Sequence, residues 1–275
     1  FVDKTIEVGL QSYAFGLSAV IADFNSDGYG DIYMANDFNM PDFLYINNRN
    51  GTFSEKSDSF FAHYSFTSMG SDYADLDNDG YDDLIVVDML SENNFRQKQF
   101  NQLMGYDQYD KLVKYGMKSQ FVKNVVQWNQ KGKGFSDIAY PLGLAHTDWS
   151  WAPLIADFDN NGHKDIYITN GYVRDINDQD FIKFHYDSVY KRLFHEPSDS
   201  EVYKMLSIIP SVKIPNYYFA NQGKMNFQKN PNNSGLDIPS WSNGAAYGDL
   251  DNDGDLDIVV NNLNQEAFLF RNNTR

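Results

Sequence analysis

One nine-residue pattern occurs four times in this chain, and it limits the possible folds more than any other feature. The four copies align without gaps as Asp23–Asp31, Asp75–Asp83, Asp157–Asp165 and Asp249–Asp257. The first reads Asp23-Phe24-Asn25-Ser26-Asp27-Gly28-Tyr29-Gly30-Asp31. Internal repetition on this scale marks an array of supersecondary units, each too small to bury its apolar face alone. Each copy runs directly into a short branched or aromatic segment: Ile32–Met34, Leu84–Val87, Ile166–Ile168 and Ile258–Val260. Runs of this kind read as strands.

Each copy is preceded by a small, apolar run, such as Ser18–Ala22 or Gly244–Gly248. Further along, each unit carries another strand-like run ending in asparagine: Phe43–Asn47, Val125–Asn129, Tyr217–Asn221 and Phe268–Asn272. In the first three units a glycine and a phenylalanine follow, at Gly51 and Phe53, Gly134 and Phe135, and Gly223 and Phe227. The unit is therefore strand, acidic loop, strand, connection, strand, turn, strand, and the fold class is all-β. The chain reads as one repeat domain over 1–275, with units at about 14–60, 61–140, 141–235 and 236–275. The loop starts lie 52, 82 and 92 residues apart, because two units carry insertions at the same connection, about 90–123 and 172–215. Both insertions contain helix-like stretches, predicted around Gln97–Tyr115 and Gln179–Leu206 from apolar residues near three-to-four spacing.

The acidic loops have the donor pattern of calcium sites. Calcium takes six to eight hard oxygen ligands, and carboxylates at loop positions 1, 3 and 5 converge if the chain turns sharply at a position-6 glycine. Position 7 offers a backbone carbonyl and position 9 closes the shell. The expected ligands are Asp23, Asn25, Asp27, Tyr29 and Asp31; Asp75, Asp77, Asp79, Tyr81 and Asp83; Asp157, Asp159, Asn161, His163 and Asp165; and Asp249, Asp251, Asp253, Asp255 and Asp257. Up to four Ca²⁺ are expected. Asn25 and Asn161 keep an oxygen donor but drop a charge. The loops are not EF-hands, since position 12 is Met34, Val86, Ile168 or Val260, within a strand, rather than glutamate before a helix. One Asp/Asn/Gly-rich loop could be only a turn. Four aligned copies, crowded with like charge, call for a cation.

The formal net charge of −16 argues against a nucleic-acid partner, whose phosphates need lysine and arginine. Fourteen of the carboxylates fall at ligand positions, so much of the acidity is metal-site charge. There are no cysteines, hence no disulfides or thiolate metal sites. No apolar run is long enough to span a membrane. No signal peptide is visible, and because Phe1 already lies inside a motif, the natural N-terminus is expected upstream.

With these residues in view, the chain resembles the FG-GAP/VCBS repeat family, whose repeats also form the propellers of integrin α-subunits. The opening Phe1–Leu10 is similar to the start of repeats in the CRTAC1-like, ASPIC/UnbV-associated branch. The stretches Thr147–Ala152, Thr169–Gly171 and Arg174–Asp175 resemble members from Bacteroidota. The resemblance implies a β-propeller of four-stranded blades and structural calcium. Since four units are fewer than such propellers commonly hold, it also implies part of a larger one.

Successive loops of an antiparallel blade alternate between its ends, so the calcium loops are expected on one face and the insertions on the other. Function is expected on the insertion face, where loops are free to vary. Trp128, Trp149, Trp151, Trp241, Tyr106, Tyr109, Tyr115, Tyr186 and Tyr190 are candidate contacts for a glycan or protein ligand, against packing as the alternative. Asp175, Asp178 and Asp180 read as a solvated loop, and Tyr217–Phe219 as strand packing. No serine-hydrolase, zincin or P-loop motif is present, and the five histidines form no constellation. The expected function is a calcium-stabilised binding or adhesion propeller, extracellular or at a bacterial outer membrane. The alternatives are a structural subunit of a surface complex and a polysaccharide-acting enzyme.

Overall fold

The computed structural model describes all residues except 39, 101–104, 184–197, 232–233 and 275, with Met205 as backbone only. The strands are β1 (Phe15–Ala22), β2 (Asp31–Asp37), β3 (Phe43–Asn47), β4 (Phe53–Glu55), β5 (Tyr64–Ser65), β6 (Ser71–Ala74) and β7 (Asp83–Val86). They continue as β8 (Gln120–Phe121), β9 (Val125–Asn129), β10 (Phe135–Asp137), β11 (Ser150–Ala156), β12 (Asp165–Asn170) and β13 (Ile214–Pro215). The last are β14 (Tyr217–Asn221), β15 (Phe227–Lys229), β16 (Pro239–Ser240), β17 (Ser242–Gly248), β18 (Asp257–Asn262) and β19 (Phe268–Phe270).

These strands form four antiparallel blades. Three are four-stranded, β1-β2-β3-β4, β6-β7-β9-β10 and β11-β12-β14-β15, and the last is β17-β18-β19. Two short ladders, β5 with β8 and β13 with β16, pin the roots of the insertions. The first strands of the blades neighbour one another in order, β1 with β6, β6 with β11 and β11 with β17, as the inner strands of an all-β propeller do. Close approach at this inner ring shows at Gly70, where an added Cβ would lie 1.9 Å from the Trp151 carbonyl oxygen. Three of the four inner strands open with the same bulge, at Gly16/Ser18, Ser150/Pro153 and Ser242/Gly244. A bulge adds local twist, which turns the strand into the ring.

The core lies between blades. Phe24, Tyr33, Leu44, Phe61 and Phe135 join the first two. Leu76, Ile85, Val126, Ile155 and Ile168 join the second and third. Phe158, Tyr167, Tyr218 and Ile258 join the third and fourth. Position in the array thus decides how much of a similar strand is buried. Leu84–Val87 and Ile166–Ile168 lie between two neighbours and are fully buried, whereas Ile32 and Met34 are half-buried and Val259 is exposed. A strand covered on both faces tolerates a continuous apolar run; one covered on a single face should alternate. The repeat supplies the same run everywhere, so the outer face of the first blade carries exposed Ile21, and that of the last carries Val259 and Leu269.

The insertions are partly helical, as expected, but in shorter pieces. The first holds helices Asn94–Phe100 and Tyr106–Lys114 rather than one helix over Gln97–Tyr115, with Gly105 preceding the second. The second holds Gln179–Phe181 and Asp199–Ile208; the middle of the helix predicted over Gln179–Leu206 lies outside the described residues. Ser198 and Glu201 form a reciprocal capping box on the latter helix. No helix among the described residues is long and apolar enough to cross a membrane.

Candidate metal centres and the insertion face

All four acidic loops share one backbone course. The position-4 residues Ser26, Asn78, Asn160 and Asn252 have φ of 58–60°, and the position-6 glycines have φ of 85–96°. Two left-handed residues in five reverse the chain tightly, and the glycine enters that region without a Cβ clash. The turn is held by its own carboxylates. In each loop the position-1 aspartate accepts the amides of positions 5 and 6, as when Asp75 Oδ1 takes Asp79 N at 3.0 Å and Oδ2 takes Gly80 N at 2.7 Å. The position-9 aspartate accepts the position-2 amide through one oxygen: Asp31 from Phe24, Asp83 from Leu76, Asp165 from Phe158 and Asp257 from Leu250.

Its other oxygen accepts a backbone amide from the end of the third strand of the same blade, or from two residues past it in the last blade. The donors are Asn47, Asn129, Asn221 and Asn272, at 2.7–2.8 Å. The side chain of each asparagine donates back to the position-8 carbonyl. In the last three blades it also reaches a carbonyl of the preceding blade: Phe24, Leu76 or Phe158. The asparagine therefore locks loop, blade and neighbour together. The sequence showed it as a recurring strand end; its hydrogen bonds lie 15–145 residues away and were not legible.

The predicted ligands converge unequally. Asp75, Asp77 and Asp83 offer oxygens within 4.8 Å of one another, as do Asp157, Asp159 and Asp165, and Asp249, Asp251 and Asp253. Each set could hold a metal ion. The first loop forms no such set among the described residues, and Arg49 Nη2 lies 3.0 Å from Asp27 Oδ2. In the last loop Arg271 Nε lies 2.8 Å from Asp251 Oδ2. In the second, Trp128 Nε1 donates to Asp77 Oδ2 at 2.9 Å, which puts this tryptophan on the loop face rather than the insertion face. At position 7 the amides of Tyr29, Tyr81, His163 and Asp255 bind the position-5 side chain, and the His163 ring turns to Asn78. Neighbouring loops touch, Asn78 donating to the Gly162 carbonyl and Asn160 to Asp255.

The electrostatics fit a cation. Burial, and then repulsion from Asp77 and Asp75, pushes Asp83 up to about 7. Burial and then the neighbouring Asp159 push Asp165 up to about 6. Burial and the charges of Asp27 and Asp23 likewise raise Asp31. A bound divalent cation would relieve this repulsion. The donors are all oxygen, with no imidazole or thiolate among them, and this fits calcium rather than zinc.

At the opposite end the two insertions are tied together. Arg96, from the first, sits between Asp148, with Nε to Oδ2 at 2.8 Å, and Asp175 of the second, with Nη1 to Oδ2 at 3.3 Å. Asp175 and Asp178 are buried, which corrects the expectation of a solvated loop: Asp178 accepts the Phe181 amide at a helix start. Asp180 is exposed, as expected of a solvated residue. Composition suggested solvent because the arginine that neutralises Asp175 comes from 79 residues away. Trp149 and Tyr172 stack at 4.5 Å, with Trp151 beside them. Trp241 donates to the Val212 carbonyl beneath Lys213. Tyr106 and Tyr115 are exposed; Tyr186 and Tyr190 lie outside the described residues. Tyr217–Phe219 are buried in β14, as expected of packing. The histidines are not all scattered: His63 Nε2 lies 2.9 Å from Asp137 Oδ2, which Lys123 also contacts.

Four blades of this build, joined through one another's faces and carrying acidic loops at one end, define a β-propeller with candidate metal loops. Residues 16–86 and 211–260 match the FG-GAP-like repeat, so the chain carries FG-GAP-like repeats. The matched segments include the first, second and fourth loops; the third, outside them, has the same geometry. No curated protein matches the sequence. One solved structure similar to it is an Agrocybe aegerita lectin, described by its specific recognition of non-reducing terminal N-acetylglucosamine. The two share 15% identity with a TM-score of 0.40, over 92% of this chain and 52% of the lectin, so the chain spans about half the lectin's length.

Proposed function

We propose that this chain is a calcium-stabilised binding propeller of the extracellular space or cell surface, holding its ligand at the insertion face. The observation that carries the metal reading is the repeated loop, where four backbone amides orient the position-1 and position-9 aspartates and three of the four loops bring three carboxylates together. Calcium fits such an oxygen set, and its binding energy adds to folding energy. Millimolar extracellular calcium would fill even weak sites, which favours placement outside the cell. The opening Phe1–Leu10 and the Thr147–Ala152 stretch favour the ASPIC/UnbV-associated branch and a Bacteroidota source. Ligand binding is assigned to the insertion face because the loop face is occupied by metal sites and blade-to-blade bonds.

The test is thermal unfolding of EGTA-stripped protein with Ca²⁺ or Mg²⁺ restored. A rise of many degrees with Ca²⁺ and little with Mg²⁺ is expected. No rise with either would sink the metal assignment.

A second reading, a structural subunit of a surface assembly, draws on exposed Phe95, Tyr115, Tyr203, Leu206 and Ile208 on or beside the inserted helices. Exposed apolar side chains on both insertions suit a protein partner. Purification from native membranes tests it: one stable companion supports a subunit, and elution alone overturns that reading.

A further inference from the structure

Two separate hydrogen-bonded routes join the second acidic loop to the third and the third to the fourth. The first route runs through the position-4 side chain, which is not among the expected metal ligands. Asn78 of the second loop donates to the Gly162 carbonyl of the third at 3.0 Å, and its amide also meets His163 Nδ1 at 3.1 Å. Asn160 of the third loop donates to Asp255 Oδ1 of the fourth at 2.6 Å. These bonds land on positions 6 and 7 of the neighbour, at or beside the residue whose carbonyl would face a cation.

The second route joins the position-9 carboxylates. Asp165 accepts the Asn221 amide at 2.7 Å, the Asn221 side chain donates to the Leu76 carbonyl at 3.0 Å, and the Leu76 amide donates to Asp83 at 3.1 Å. Between the third and fourth loops the same relay runs from Asp257 through Asn272 and Phe158 to Asp165, at 2.8, 2.7 and 3.0 Å. The first loop stands apart. Its position-4 residue is the shorter Ser26, which makes no hydrogen bond to the second loop among the described residues. Its relay includes a contact stretched to 3.5 Å, from Asn129 to the Phe24 carbonyl.

We infer that the second, third and fourth loops take up calcium as a cooperative set, so that the propeller locks over a narrow range of calcium concentration, while the first loop fills independently. The inference deepens the calcium reading and rests on it. Carboxylates gathered in a metal-free loop repel one another, so the first ion must hold its own loop curled. The two routes pass that order on. Once Asp165 and Asn221 are fixed, the Leu76 peptide and with it Asp83 are held, and Asn78 ties the turn of the second loop to that of the third. An ion entering a loop already ordered costs less conformational entropy, which gives positive coupling without a change of fold. Repulsion between ions in neighbouring loops opposes this, but positions 4 and 6 of every loop are exposed, so water and salt screen it.

The experiment is equilibrium dialysis of the EGTA-stripped full chain against radiolabelled Ca²⁺. A Hill coefficient of about 2 is expected. Asn78→Gly combined with Asn160→Gly should lower it toward about 1 with the same number of ions bound. Both positions are exposed, and their φ of 58–60° suits glycine, so the loops keep their course. Coupling is reciprocal between neighbours, so Asp159→Asn, in the middle loop, should also weaken the remaining sites about fivefold. Asp27→Asn, in the first loop, should leave them unchanged. Ions bound with a coefficient of about 1 or below in the unsubstituted chain, or a coefficient untouched by the two glycines, would overturn the inference and leave the calcium reading standing. Equal effects of Asp159→Asn and Asp27→Asn on the remaining sites would do the same. No bound ion at all would overturn both.

Discussion

The backbone amide of Asn129 donates to Oδ1 of Asp83 at 2.8 Å, tying the third strand of the second blade to the last residue of its acidic loop. The Asn129 side chain completes the tie by donating to the Asp82 carbonyl at 3.0 Å and accepting from Gly132 N at 2.8 Å. The same tie recurs in every blade, so loop geometry and blade packing form one unit.

Asn129→Ala keeps the backbone bond but strips the side-chain ones, leaving buried carbonyls short of a donor. A loss of about 2 kcal/mol is expected, together with weaker calcium binding at the second loop. Urea unfolding at saturating and at zero calcium measures both. A loss in the calcium-free form alone would contradict the coupling.

The loops should rank by how their carboxylates converge. Asp77→Asn and Asp159→Asn, in sets without an arginine, should each remove more calcium-dependent Tm gain than Asp27→Asn. Arg49→Ala should tighten calcium at the first loop by up to about tenfold, since a cation no longer competes for Asp27. Calorimetric titration of the stripped proteins gives the order.

Arg96→Met should be among the most damaging single changes outside the core. It leaves Asp148 and Asp175 buried without their shared cation, at a cost of about 3 kcal/mol or more. Proteolysis should then cut the insertions first while the blades persist. Uniform cleavage would show that the ion pair stabilises the whole chain rather than this face.

Asp42 supplies a pH test distant from any loop. Burial drives its carboxyl up to about 7, against hydrogen bonds from Tyr33, the Asn36 amide and Ser68. A carboxyl raised on folding binds its proton more tightly in the folded state, so its contribution is full below pH 4 and is lost as pH rises toward 7. Relative to Asp42→Asn, the wild type should therefore lose stability across that window, by about 4 kcal/mol at most. Unfolding of both proteins in the same calcium buffer from pH 4 to 8 measures the difference. A flat difference would mean that Asp42 titrates normally.

The sequence by itself determined the acidic loops, the strand order of each unit and the site of the insertions. These were legible because their causes are local: all five ligand positions fall within nine residues, and the glycine that permits the turn lies among them. Only the tertiary structure decided what depends on distant partners. Asp175 looked solvated until Arg96 was placed beside it, and His63 looked isolated until β10 brought Asp137 within reach. The role of the strand-ending asparagines also needed the fold, since Asn221 bonds a carbonyl 145 residues earlier in the chain. Burial followed the same logic. Ile32, Leu84, Ile166 and Ile258 open similar strands, yet their exposure is set by which blade lies alongside, and no local pattern encodes a neighbour.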